Sequence, residues 1–139
     1  MILIDTSIIV AYMNATDRHH EEVARWVDQI DDDLMTTPLI VAEADHLVAT
    51  RGGSRALSAL RADLAAGAYL VEWWSGAIAA IVEVAERYAD TGLGLADASL
   101  VVLAERIGTL DIGTLDERHF RTVRPVTGSQ AFKILPADQ

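Results

Sequence analysis

Four acidic residues of this chain sit where carboxylates can do chemistry. Asp5 ends the aliphatic run Met1-Ile2-Leu3-Ile4 and is followed by two hydroxyl residues, Thr6 and Ser7. Glu43 falls in the first two turns of a predicted helix that opens at Thr37-Pro38. Asp97 interrupts the segment Leu95 to Ala104, which is otherwise apolar except for Ser99, and Asp116 follows a predicted strand. Acids favour helix N-termini for capping and dipole reasons, and that accounts for each of the four singly. It accounts less well for the set: Glu43 is not at a cap position, and an ionised carboxylate in a greasy segment is costly unless it is paired, hydrogen-bonded or bound to a metal. Carboxylates gathered at one point repel, and without a cation one or more has its pKa raised. A hard divalent ion with oxygen preference, Mg²⁺ or Mn²⁺, relieves that repulsion and keeps waters in its shell. Such an ion lowers the pKa of a bound water and stabilises charge building on a phosphate. With no cysteine and no paired-histidine spacing, zinc is disfavoured.

The four acids depend on the elements that carry them. Three consecutive large aliphatic residues at positions 2–4 read as a short strand buried on both faces, as in a parallel sheet. In open α/β sheets chemistry collects at the carboxyl ends of strands, which is where Asp5 is placed. Residues 8–13 are apolar and predict a short buried helix, and Asn14 to Thr16 a turn. Asp17 is expected to cap a helix to about Ile30 with Val23, Trp26, Val27 and Ile30 as its apolar face. Asp31-Asp32-Asp33 reads as a solvated turn.

Leu34 to Thr37 predicts a second strand; Thr37 as N-cap with Pro38 at the first helical position starts the next helix. Arg51-Gly52-Gly53 ends it, and Ser54 begins another helix through about Ala66, striped by Leu57, Leu60 and Leu64. Residues 68–71 predict a third strand, and Trp73-Trp74 reads as filling at the edge of a core. Ile78, Ile81, Val82 and Ala85 fall at i, i+3, i+4, i+7 spacing and predict the buried face of a helix to about Ala89. A nearly all-apolar helix from Leu95 is a buried one.

A fourth strand is expected from about Thr109 to Leu115. Asp111 and Asp116 then face opposite ways, which gives Asp116 the site role and leaves Asp111 a structural residue. Glu117 to Phe120 reads as one helical turn, and residues 131–135 as a last strand ended by Pro136. Strands alternating with helices predict one three-layer α/β/α domain over residues 1–139 with a mainly parallel central sheet.

The 139 residues can bury a sizeable core, and although 51% are hydrophobic, no apolar run approaches the roughly 18–20 residues of a membrane span. The N-terminus lacks the basic stretch and cleavage site of a signal peptide. The absence of cysteine excludes disulfides and is compatible with a cytoplasmic location. A net charge of −10 argues against general affinity for nucleic acid. The charge is uneven, however: residues 17–33 carry seven acids, whereas 118–133 carry Arg118, Arg121, Arg124 and Lys133 with no acid. A small basic rim on an acidic body can steer an anionic substrate. Carboxylates, hard metal and basic rim together suggest phosphodiester hydrolysis.

Ile4-Asp5-Thr6-Ser7, Val41-Ala42-Glu43, Leu95-Ala96-Asp97-Ala98-Ser99 and Thr114-Leu115-Asp116-Glu117-Arg118-His119-Phe120, in this order and spacing, resemble the motifs of PIN-domain nucleases, in particular the VapC toxins of bacterial toxin–antitoxin pairs. The resemblance implies a PIN-like fold and a metal-dependent endoribonuclease that inhibits growth and is neutralised by a cognate antitoxin. It puts Mg²⁺ or Mn²⁺ on Asp5 and Asp97 first, with Glu43 and Asp116 completing the catalytic pocket, and has Thr6 and Thr114 orient carboxylates or waters. Water activated by the metal would attack an RNA phosphodiester. Arg118, Arg121 and Arg124 are candidate contacts for RNA phosphate or for acidic or C-terminal groups of an antitoxin, and His119 is a candidate general acid or a surface contact. A homodimer is implied by resemblance only. Gly92 and Gly94 depart from relatives that carry an acid or proline in this loop.

Two other functions compete at this point. A receiver-like phosphoacceptor would need adjacent acids after the first strand and a suitably placed lysine, but Thr6 follows Asp5 and Lys133 is the one lysine. A non-catalytic PIN-like interaction module predicts no metal-dependent activity. The apolar faces of the helices from Asp17 and Thr37, with Trp26 as candidate anchor, read either as ordinary core packing or as a groove for a partner helix.

Overall fold

A computed structural model describes residues 1–128 and 130–139. Five strands, β1 (Ile2–Ile4), β2 (Leu34–Thr36), β3 (Leu70–Val71), β4 (Asp111–Gly113) and β5 (Lys133–Leu135), form one sheet in the order β3-β2-β1-β4-β5. Every pairing is parallel, so each connection must cross a face of the sheet and the helices follow from the topology. They are α1 (Thr6–Met13), α2 (His20–Gln29), α3 (Pro38–Ala65), α4 (Ala77–Arg87), α5 (Leu95–Ile107) and α6 (Glu117–Thr122). The chain steps outward from β1 to β2 and β3, then returns across the sheet to β4 and β5. With right-handed crossovers, that reversal sends α1–α3 to one face and α4–α6 to the other, the expected three-layer α/β/α arrangement. Accordingly α1 packs on α2 and α3, and α4 on α5.

The core is centred on β1. Ile2, Leu3 and Ile4 are all buried, as a strand flanked by neighbours on both sides and helices on both faces requires. The chain leaves β1 for β2 on one side and meets β4 on the other, so the crevice at the carboxyl end of β1 is the switch point of the sheet. Next to it, Gly113 has no room for a side chain: a Cβ there would lie 2.8 Å from Ile4 Cδ1 and 2.8 Å from the Trp26 ring. Trp26 is therefore core, 4% exposed, and does not anchor a groove for a partner helix.

Three other expectations are corrected. The second helix begins at His20 and not at Asp17, because the Asp17 carboxylate accepts from the His19 N–H at 2.8 Å and closes a turn ahead of the helix. In α4 the buried residues are Ala77, Ile81 and Val84, while Ile78 and Val82 are 50% and 42% exposed. Helix α4 packs against α5, and the side bearing Ile78 and Val82 is left outside. The fourth strand is also shorter than the predicted span, Asp111–Gly113. The break expected after Arg51 is present within α3, where Gly53 takes φ +83°, a conformation that glycine adopts at no steric cost.

Candidate metal centre

Each acid reaches the crevice by a local device. Asp5 caps α1, its carboxylate accepting from the Ser7 N–H. The other carboxylate oxygen accepts from the Thr114 hydroxyl, which in turn accepts from the Asp116 N–H at 2.9 Å. One threonine just past β4 thus ties Asp5 to the backbone of Asp116. Ser7 adds a second tie, its hydroxyl accepting from the Leu115 N–H at 2.9 Å. Asp116 itself caps α6 through the His119 N–H.

Glu43 and Asp97 come from α3 and α5, and a buried pair of hydroxyls joins the starts of those helices. Ser99 donates to the Ala96 carbonyl, so the Thr37 hydroxyl supplies the hydrogen of the 2.7 Å Thr37–Ser99 bond while accepting from the Ile40 N–H at 3.3 Å. Thr37 is both the N-cap of α3 and the latch to α5.

Asp5, Glu43, Asp97 and Asp116 all line one open cleft of about 410 Å³. Asp5 is 3% exposed. Burial pushes its carboxyl up to about 7, reinforced by the nearby charge of Asp97 and opposed by the Thr114 and Ser7 hydrogen bonds. Burial also raises Asp97; Glu43 and Asp116 add to the rise, and His119 opposes it. These are the signs expected of acids crowded around a place for a cation. Thr6 also lines the cleft, and its hydroxyl oxygen is buried with no hydrogen-bond partner. A polar atom so placed normally has a partner. Oxygen donors from several carboxylates beside an unsatisfied hydroxyl fit a hard divalent ion such as Mg²⁺ or Mn²⁺.

His119 takes a more central place than a surface contact. Its Nδ1 lies 3.2 Å from Asp97 Oδ2 and 3.0 Å from Asp116 Oδ2, and the three side chains together could hold a metal ion. Its position three residues after Asp116 on a helical turn was the available signal. Arg118, Arg121 and Arg124 are exposed and absent from the cleft lining. Arg121 is committed elsewhere, with Nη2 2.8 Å from Glu117 and 2.6 Å from Asp138. The cleft contains instead Arg51, with Asp17 and His19, none of which was predicted there. The spacing of Glu43, Leu47 and Arg51 at i, i+4, i+8 would have disclosed Arg51, since all three line the cleft.

The PIN domain family profile matches residues 2–125. Ribonuclease VapC26 of Mycobacterium tuberculosis is 40% identical over 136 residues, which cover 97% of this chain and 100% of that protein. Among solved structures, Mycobacterium tuberculosis VapC20, a sarcin-ricin loop cleaving toxin, is similar with a TM-score of 0.75 at 24% identity, over 81% of this chain and 87% of that one. The second likeness is one of fold.

Proposed function

This chain belongs to the PIN-domain family, with a VapC ribonuclease among its relatives, and from that premise we propose that it is a divalent-metal-dependent endoribonuclease, the toxin of a toxin–antitoxin pair. The observation that carries the proposal is the convergence of Asp5, Glu43, Asp97 and Asp116 on one cleft beside the unpartnered Thr6 hydroxyl. Asp5 and Asp97, the more deeply set carboxylates, are the principal holders of Mg²⁺ or Mn²⁺, with Glu43 and Asp116 completing the pocket. The ion, when bound, neutralises the carboxylates, acidifies water and stabilises the charge of a phosphate under attack.

The chain's own residues do the positioning. Thr114 fixes Asp5 and Asp116 relative to one another, and the Thr37–Ser99 latch sets Glu43's helix against Asp97's. The Thr6 hydroxyl orients a ligand or water within the pocket. His119 shares its Nδ1–H between Asp97 and Asp116 and holds both carboxylates toward the cleft. With the ion bound, the phosphodiester to be hydrolysed is brought into the open cleft against the metal-neutralised carboxylates.

Family membership likewise supports a cognate antitoxin and a homodimer. Ile78 and Val82, one turn apart on the outside of α4, together with the half-exposed Leu95 and Trp73, supply apolar surface for a second copy. A monomeric sedimentation coefficient at micromolar concentration would overturn the dimer. No helix among the described residues is long and apolar enough to cross a membrane, and a cytoplasmic site of action is proposed with the RNA substrate. The function is tested by incubating the purified, partner-free chain with total cellular RNA and Mg²⁺ or Mn²⁺. Cleavage abolished by EDTA and by Asp97→Asn is the expected result; intact RNA under all conditions would overturn the proposal.

A further inference from the structure

The cleft holds five carboxylates, those of Asp5, Asp17, Glu43, Asp97 and Asp116, within a chain of net charge −10. A polyanion entering it must be met by positive charge beyond what a metal supplies at the reacting phosphate. The basic residues near the C-terminus do not line the cleft, and Arg121 is already paired twice. Arg51 does line it.

Three observations bear on Arg51. Among the described residues Arg61, Arg87, Arg106 and Arg121 each face a carboxylate; Arg51 is exposed and forms no ion pair, as is also true of Arg18, Arg25, Arg55, Arg118 and Arg124, but among these unpaired arginines it is the one that lines the cleft. It stands two helical turns past Glu43 on the same face of α3, about 12 Å along the axis, with Leu47 between them as an apolar floor. Its backbone is pinned just downstream. A Cβ on Gly52 would lie 2.9 Å from the Ala56 Cβ, with Val48 and Asn14 also within van der Waals range, and Gly53 turns the chain away at φ +83°. The guanidinium is therefore a free, permanently charged fork on a fixed base, the chemistry that matches a phosphate.

We infer that Arg51 grips a backbone phosphate of single-stranded RNA, away from the one hydrolysed, and so sets where the strand lies across the acids; this rests on the nuclease function proposed above. The grip contributes to binding in the ground state and the transition state alike, so its loss shows in KM and leaves kcat nearly unchanged.

The test compares the full-length wild type with Arg51→Ala and Arg51→Lys. Steady-state cleavage of a single-stranded RNA is measured with Mg²⁺, and binding of the same fluorescent RNA is measured by anisotropy with Ca²⁺ across a salt series. Arg51→Ala is expected to raise KM about tenfold with kcat within about twofold. The magnitude of the salt slope should fall by about 0.7, one phosphate contact on a single strand, and Arg51→Lys should recover part of the affinity. Melting curves check that the exposed substitution leaves the fold intact. If the wild type cleaves and Arg51→Ala cleaves with unchanged KM and salt slope, the grip is refuted and the nuclease stands; the same holds if the variant escapes only inhibition by the antitoxin, which would make Arg51 a protein contact. If the wild type binds RNA without cutting it and Arg51→Ala loses the binding, hydrolysis falls and the grip stands. A wild type that neither binds nor cuts refutes both.

Discussion

Replacing Asp5 by asparagine should stabilise the metal-free protein at alkaline pH. The Asp5 carboxyl is moved from its ordinary 3.8 to about 7, chiefly by burial. An acid whose folded pKa lies above its unfolded value holds its proton more tightly when folded. It therefore imposes no penalty below about pH 4 and a growing one as pH rises to about 7, beyond which the penalty is constant. A displacement of about three pH units corresponds to about 4 kcal/mol at pH 8, and to less than half of that at pH 5. Asparagine keeps an acceptor for the Ser7 N–H but obliges the Thr114 hydroxyl to turn, a loss of about 1 kcal/mol. The net gain is then about 2–3 kcal/mol at pH 8, roughly 10 °C in Tm for a chain of this size, and close to nothing at pH 5. Circular dichroism melts in EDTA from pH 5 to pH 8 measure both. Divalent metal should raise the Tm of the wild type at pH 8 by more than that of the Asp5→Asn variant, because one of the charges it neutralises has gone. A variant less stable than the wild type at pH 8, with an unchanged pH profile, would refute the reasoning that Asp5 is held ionised at a cost.

Other substitutions separate positioning from chemistry. Thr114→Val removes both the donor to Asp5 and the acceptor for the Asp116 N–H; stability should fall by about 1–3 kcal/mol in urea titration, with RNA cleavage reduced at least tenfold. Gly113→Ala places a methyl 2.8 Å from both Ile4 and Trp26 and should destabilise by about 1–3 kcal/mol, seen as a lower urea midpoint at unchanged m-value. Arg121→Ala breaks only exposed pairs with Glu117 and Asp138, and its cleavage rate should stay within about twofold of the wild type.

The parts of the site fixed by local chemistry were legible in the sequence. Three aliphatics before Asp5 required a buried strand, and Thr37-Pro38 marked a helix start that the structure places at Pro38. The lone acid in the apolar start of α5 identified Asp97. What stayed hidden was set by contacts across the fold. Residues 77–85 of α4 are apolar on more than one face, so periodicity could not choose between the Ile78 stripe and the Ala77-Ile81-Val84 stripe; packing against α5 made the choice. Trp26 could be core or anchor as far as its own helix goes, because nothing there shows that Gly113, far along the chain, leaves a space its ring fills. Arg121 was read as a candidate phosphate contact by type alone, and its pairing with Asp138, far along the chain, is a contact that type does not record. The pairing of His119 with Asp97, unlike that with Asp116 three residues before it, joins α5 to α6, a neighbourhood no local pattern records.

The central claim is that these four acids form one divalent-metal centre, and titration of Mn²⁺ followed by electron paramagnetic resonance tests it most directly. The predicted result is loss of the free Mn²⁺ signal to a saturable site in the wild type, weakened at least tenfold by Asp97→Asn in a protein that melts normally. A free Mn²⁺ signal equally unaffected by the wild type and the variant would contradict it.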